Sequence, residues 1–197
     1  MTAAKKLNLV SVEDYLAGEL ESPVKHEYLG GLVYAMAGAR NLHNRLASRT
    51  LGSLFTRLRG RRCEAFNSDT KIRVRVSNQI RFYYPDVSVI CRFNPESDSY
   101  QDEPAALFEV LSQKTRRIDE GEKKDAYLTI ASLHVYGLIE TECPRVVVYR
   151  RTPGGFVCEV YEGLEAVIPL PEIEAELPLG EIYQGVQFTS EPLDDQD

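Results

Sequence analysis

Apolar and polar positions along the chain fall into two periods, one helical and one alternating. Ser11-Val-Glu-Asp14 has the form of a capping box and predicts a short helix over 12–18. Residues 25–36 (KHEYLGGLVYAM) read as two short strands about Gly30-Gly31, a hairpin. Over 40–59, Ala47, Leu51, Leu54, Phe55 and Leu58 share one side at helical spacing, with Arg45, Arg49 and Arg59 opposite, which predicts a long helix. Residues 70–76 (TKIRVRV) alternate strictly, so a half-buried strand with Lys71, Arg73 and Arg75 on its outer face is expected. The runs 82–91 (FYYPDVSVIC) and 105–111 (AALFEVL) are almost wholly apolar, the pattern of central strands covered on both faces. A second helix is expected over 119–131 and a strand over 134–140. Residues 145–151 and 156–163 read as a hairpin about Pro-Gly-Gly, and LPLGEIYQGV as one helical turn. The core order αβββαβ predicts an α/β fold: a mixed sheet flanked by helices, with a hairpin added N-terminally and another C-terminally.

Composition changes this picture little. With 197 residues, 43% of them hydrophobic, the chain can bury a sizeable core in one domain, expected over 1–188. Residues 189–197 read as an acidic, disordered tail. No apolar run reaches the roughly 20 residues that span a bilayer, and MTAAKKLNLV lacks the apolar stretch of a signal peptide, so a cytoplasmic location without membrane contact is expected. Cys63, Cys91, Cys143 and Cys158 form no CxxC pair and are expected to be buried free thiols.

Charge is distributed unevenly. Residues 40–81 hold 11 Arg and Lys against only Glu64 and Asp69, while residues 159–197 hold 11 Asp and Glu and no Arg or Lys. Two arrangements explain this: a polyanion held on the basic face, or neutralisation of one segment by the other inside the fold.

The candidate chemistry lies in the apolar strands. Asp86 in YYPDVSV and Glu109 in LFEVL are carboxylates in dry surroundings, costly unless paired or bound to a metal. Two such acids on neighbouring strands form a hard oxygen site suited to Mg²⁺ or Mn²⁺; the ordinary alternative is an ion pair with arginine. Lys123 shares a helix face with Ala126, Tyr127 and Ile130, the face turned to the sheet, whereas Lys124 points about 100° away. His43 lies on the inward side of its helix, where a core histidine is the commoner outcome. No GxSxG elbow, Walker loop or dinucleotide fingerprint appears, which leaves serine hydrolase and nucleotide-dependent chemistry unsupported.

Pro85-Asp86, followed 23 residues later by Glu109 inside an apolar strand, resembles the PD-(D/E)XK nuclease superfamily. The ordered series SVEDYL, KHEYLGGLVYAMAGA, His43-Asn44, YYPDVSVI, FEVLS, DEGEKKDAY and SLHVYGLIE with RVVVYRR resembles the Uma-two family of restriction-endonuclease-like proteins over about residues 8 to 185. The resemblance implies a restriction-endonuclease-like fold and metal-dependent hydrolysis of phosphodiester bonds in nucleic acid, with DNA the expected substrate. It places the catalytic residues on Asp86, Glu109 and Lys123, the metal on Asp86 and Glu109, and accessory roles on Glu27, His43 and Lys114. The superfamily's usual lysine position holds Leu111, so the resemblance implies that the lysine has moved to the following helix as Lys123. Lys114 competes for that role. Arg61, Arg62, Arg73 and Arg75 are the expected contacts to backbone phosphates. A homodimer is a further expectation. The alternatives are a non-cleaving nucleic-acid-binding or regulatory module on the same fold, and a protein-interaction scaffold.

Overall fold

The computed structural model describes residues 8–188. The chain runs through α1 (Val12–Glu21), β1 (His26–Leu29), β2 (Leu32–Ala35), α2 (Asn41–Leu58), β3 (Glu64–Asn67), β4 (Lys71–Val76), β5 (Gln79–Tyr83), β6 (Val87–Ile90), β7 (Tyr100–Gln101) and β8 (Pro104–Val110). There follow α3 (Arg116–Ile118), a π-turn (Asp119–Lys123) and α4 (Lys124–Tyr127). The remainder is β9 (Val135–Ile139), β10 (Arg145–Thr152), β11 (Gly155–Glu162), β12 (Val167–Leu170), a 3₁₀ turn (Pro171–Ile173), β13 (Ala175–Pro178) and α5 (Leu179–Ile182).

Two sheets carry the architecture. One has the order β11-β10-β9-β8-β6-β3, with β8 and β9 parallel and its other pairs antiparallel. The other has the order β2-β1-β5-β4-β7. The αβββαβ core is present as α2, β3, β6, β8, the α3–α4 segment and β9. Its three strands, however, are not the three that periodicity suggests. The run 82–91 is not one strand: it is broken at Tyr84-Pro85-Asp86, ending β5 in one sheet and starting β6 in the other. Proline has no N–H for a ladder and disfavours continuation there. The strand over 71–76 belongs to the second sheet, and its place in the core sheet is taken by β3.

Strand β8 shows why both faces of the large sheet are apolar. Ala106, Phe108 and Val110 pack toward α2, β12, β13 and α5. Leu107 and Leu111 point to the other side, toward Ile72, Tyr83, Tyr127 and Tyr136. Glu109 therefore projects on the Leu107–Leu111 face, into the layer between the two sheets.

Several local expectations are corrected. The buried face of α2 is Leu46, Thr50, Ser53, Leu54 and Leu58, and Phe55 is 55% exposed. The helix expected over 119–131 begins earlier, at Arg116, contains the π-turn and ends at Tyr127. Lys71 is buried rather than outward, its ammonium donating to the Tyr84 hydroxyl at 3.3 Å. The four cysteines are not buried free thiols. Cys63 and Cys91 extend the β3–β6 ladder by one pair beyond Glu64 and Ile90 and are joined in a disulfide, while Cys143 and Cys158 are exposed. A separation of 28 residues gave no hint that the ladder would bring them face to face. The tail over 189–197 lies outside the described residues. Among the described residues no helix is long and apolar enough to cross a membrane.

Arg73 in β4 forms a two-pronged pair with Asp102, at 2.7 Å on each carboxylate oxygen, and Asn94 donates to the same carboxylate at 3.0 Å. Burial raises the Asp102 proton affinity, but Arg73, Asn94 and Arg75 outweigh it and hold the carboxyl below the usual range. A folded-state value below the unfolded one contributes stability above the unfolded pKa, and that contribution is lost as pH falls through the folded pKa. Asp102→Asn should lower stability at pH 7 by about 1–3 kcal/mol. The gap between variant and wild type should close on acidification below about pH 4. Thermal melts of both proteins from pH 7 to pH 3 measure this. A gap that stays constant would show that the carboxylate charge contributes nothing.

Candidate active site

Asp86 and Glu109 come together because the β6–β8 ladder, in which Val87 faces Phe108, brings the residue before β6 level with the strand position after Phe108. The Asp86 amide donates to Glu109 Oε2 at 3.3 Å, and the Val110 amide donates to Asp86 Oδ2 at 2.7 Å. The Pro85 crossover puts Asp86 where the two sheets meet. From the second sheet, hairpin strand β1 contributes Glu27. Gly30 and Gly31 both have positive φ, which the two-residue turn of that hairpin requires.

The α3–α4 segment closes the layer. Lys123 Nζ lies 2.9 Å from Glu27 Oε1, 3.4 Å from Glu109 Oε1 and 3.6 Å from Asp119 Oδ1. Tyr127, one turn on, donates to Glu109 Oε1 at 3.3 Å. Tyr83, Tyr127 and Tyr136 stand in a row of aromatic contacts beneath the cluster. On the opposite side His43, in the first turn of α2, places Nε2 3.1 Å from Asp86 Oδ2. Glu109, Asp119 and Lys123 form a buried floor, and Glu27, His43 and Asp86 form a half-buried rim.

Electrostatics follow from this crowding. Burial pushes the Glu109 carboxyl well up, Lys123 offsets only part of that, and Asp119, Asp86 and Glu27 push it further. Asp119 is also raised, first by burial, against the lowering effect of Lys123 and a hydrogen bond from Thr115. The Lys123 ammonium holds its proton more tightly than a free lysine: burial opposes the charge, but Glu109, Glu27 and Asp119 outweigh it. His43 is raised as well, burial being overcome by its contact with Asp86.

The residues fit a hard divalent cation. Four carboxylates face one ammonium and one imidazole, so the cluster carries excess negative charge in a largely dry layer, and its donors are the oxygens that Mg²⁺ and Mn²⁺ prefer. Among the described residues no three His, Cys, Asp or Glu side chains form a ready metal cage. The carboxylates of the floor are arranged around the Lys123 ammonium instead.

Of the candidates read from the sequence, the structure gathers Asp86, Glu109, Lys123, Glu27 and His43 in one place. Lys114 is exposed on the turn before α3 and is not among the contacts of the cluster. Leu111, at the usual lysine position of the superfamily, is fully buried against the aromatic layer. The arginines lie elsewhere. Arg73 is locked to Asp102, and Arg75 lies 3.7 Å from the same carboxylate. Arg61 pairs with Glu174 at 3.2 Å. Arg62 is exposed and shares a cleft with Glu103 and Ala105 near the start of β8. Four residues of strand separate Ala105 from Glu109, roughly 13 Å. Sequence reasoning missed Asp119. Its signal was present: it precedes Lys123 by four residues, which places the two on one helical face.

Comparison with known proteins agrees with this architecture. A family model, "Uma2: Putative restriction endonuclease", matches residues 12–180. The uncharacterized protein slr1290 of Synechocystis is 32% identical over 182 residues, covering 91% of this chain and 94% of its own. A second uncharacterized Synechocystis protein, sll1609, is 30% identical over 154 residues, covering 77% of this chain and 86% of its own. Among solved structures, one titled as a "putative nuclease belonging to DUF820" from Anabaena variabilis shares the fold, with a TM-score of 0.67 at 18% identity, covering 88% of this chain and 97% of that one. A match that runs from the first turn of α1 into α5 takes in both sheets and every residue of the carboxylate cluster, and the chain belongs to the Uma2 family.

Proposed function

We propose that this chain is a metal-dependent nuclease that hydrolyses phosphodiester bonds, with DNA as substrate in the cytoplasm. The observation that carries the reading is the Asp86–Glu109–Lys123 cluster, two carboxylates held by one β-ladder and a buried ammonium 3.4 Å from one of them, Glu109. Asp86 and Glu109 would hold Mg²⁺ or Mn²⁺, which when bound activates water and stabilises charge on the phosphate. The Val110 amide and His43 fix the Asp86 carboxylate through its Oδ2. Tyr127 fixes the Glu109 carboxylate through Oε1. Lys123 supplies a fixed positive charge to the attacking water or to the phosphate oxygens as negative charge develops there. Glu27, ion-paired to that ammonium, orients it from the second sheet.

Exposed Arg62 is the phosphate contact this reading retains, because Arg61 and Arg73 are engaged within the fold and Arg75 lies 3.7 Å from the Asp102 carboxylate. A non-cleaving nucleic-acid-binding module draws on Leu111, which removes the lysine from the strand; the arrival of Lys123 from the helix favours cleavage instead.

The test is a cleavage assay on DNA and RNA substrates with Mg²⁺ or Mn²⁺. Wild type should cut DNA, EDTA should stop it, and Asp86→Ala should lose about 10²-fold or more. No cutting by wild type, or undiminished cutting by Asp86→Ala, would refute the reading.

A further inference from the structure

Among the described residues, the Lys123 ammonium is shared by three carboxylates. They come from three separate elements: Glu27 on β1, Glu109 on β8 and Asp119 on the lysine's own π-turn. Two of these contacts span elements and one does not. The Asp119 contact, four residues back along the same turn, is maintained by the turn itself, whatever the two sheets do. One more observation bears on the arrangement. No set of three ligating side chains among the described residues closes on a common point other than the lysine, although the donor atoms suit a hard cation.

We infer that Lys123 is the resident counter-ion of the carboxylate cluster and that it gives up Glu109 and Glu27 when a divalent cation enters, remaining tethered to Asp119. This deepens the nuclease reading and rests on it. In that account Lys123 and the metal compete for the same carboxylates. The ammonium keeps the cluster from carrying its full negative charge before metal arrives. Asp119 is a positioning residue that holds the lysine within reach of the reaction afterwards. The competition follows from simple charge balance: two cations cannot both claim Glu109 Oε1 at contact distance without repelling each other.

Direct Mn²⁺ binding, followed by electron paramagnetic resonance on the full chain without nucleic acid, tests this. Removing a competing positive charge at contact distance should shift binding by one to three powers of ten, by analogy with the effect of such a charge on a carboxyl proton. Lys123→Met should therefore bind Mn²⁺ about 10-fold more tightly or better than wild type. Equal or weaker binding by Lys123→Met overturns the inference while leaving the metal-dependent reading standing. No binding by either protein overturns that reading itself. Should Lys123→Met fail to fold, wild type alone decides. Reductive methylation of Lys123, followed by mass spectrometry, should be slow without metal and accelerate several-fold with saturating Mn²⁺. An unchanged rate overturns the exchange.

Discussion

Lys123→Ala should reduce cleavage by about 10²–10³-fold, the range found when one preorganised electrostatic donor is removed from a transition state. Lys124→Ala and Lys114→Ala should cut at close to the wild-type rate. The distinction is geometric. Lys123 reaches Glu109 at 3.4 Å, Lys124 lies over the Tyr149 ring at 5.2 Å from its centroid, and Lys114 is exposed. Single-turnover rates for the three variants, each checked for native circular dichroism, give the comparison. If Lys114→Ala is inactive and Lys123→Ala is not, the lysine assignment fails even for an active nuclease. Some loss of metal-free stability is expected for Lys123→Ala, because it leaves Glu109 and Asp119 buried without their counter-charge. Those carboxyls, already raised in proton affinity, answer by holding protons, which limits the loss.

The second large effect lies in the core. Gly137 of β9 faces Phe108 of β8 in parallel register, and a Cβ there would run into the edge of the Phe108 ring, meeting Cδ1 and lying 2.7 Å from Cε1. The ring is fully buried in the core cluster that packs against α2. Gly137→Ala should cost about 3 kcal/mol or more through overpacking. In a domain of this size that is a fall of roughly 6–12 °C in Tm. Combining it with Phe108→Leu should recover part of the loss, since the two positions share one volume. Calorimetry on the two single variants and the double variant measures the coupling. Strict additivity would mean that the ring does not set the requirement for glycine.

Much of this molecule was legible in the sequence because its elements are strongly periodic. The Ser11 cap is present, its hydroxyl accepting from the Asp14 amide at 3.0 Å. The Gly30-Gly31 hairpin, α2, β8 and the β10–β11 hairpin also stand where the pattern put them. What periodicity does not carry is sheet membership. An apolar run looks the same in either sheet, so only Pro85 hinted that residues 82–91 change sheets partway. Strand β3 is four residues long and too short to show a period. In the site, Asp86, Glu109 and Lys123 stood out because a charge in an apolar surrounding is expensive. His43 did not, because a histidine facing inward is ordinary until its partner is known. The arginines misled for a related reason. Their partners lie far along the chain: Arg57 pairs with Glu181 at 2.6 Å and Arg61 with Glu174, so the acidic C-terminal stretch neutralises part of the basic segment inside the fold.

Those same contacts have a bearing on the order in which the protein folds. The inner face of α2 (Leu46, Leu54 and Leu58) is covered by Ile168, Leu177 and Ile182, residues that follow it by well over 100 positions. Helix α2 is made early on the ribosome and meets β3, β6 and β8 first, but its cover is incomplete until β12, β13 and α5 have emerged. Closing so long a loop is entropically costly, and contacts of such high sequence separation slow folding. During synthesis the chain therefore passes through a period in which an amphipathic helix is covered only in part, the stage at which chaperone capture or aggregation competes with productive folding.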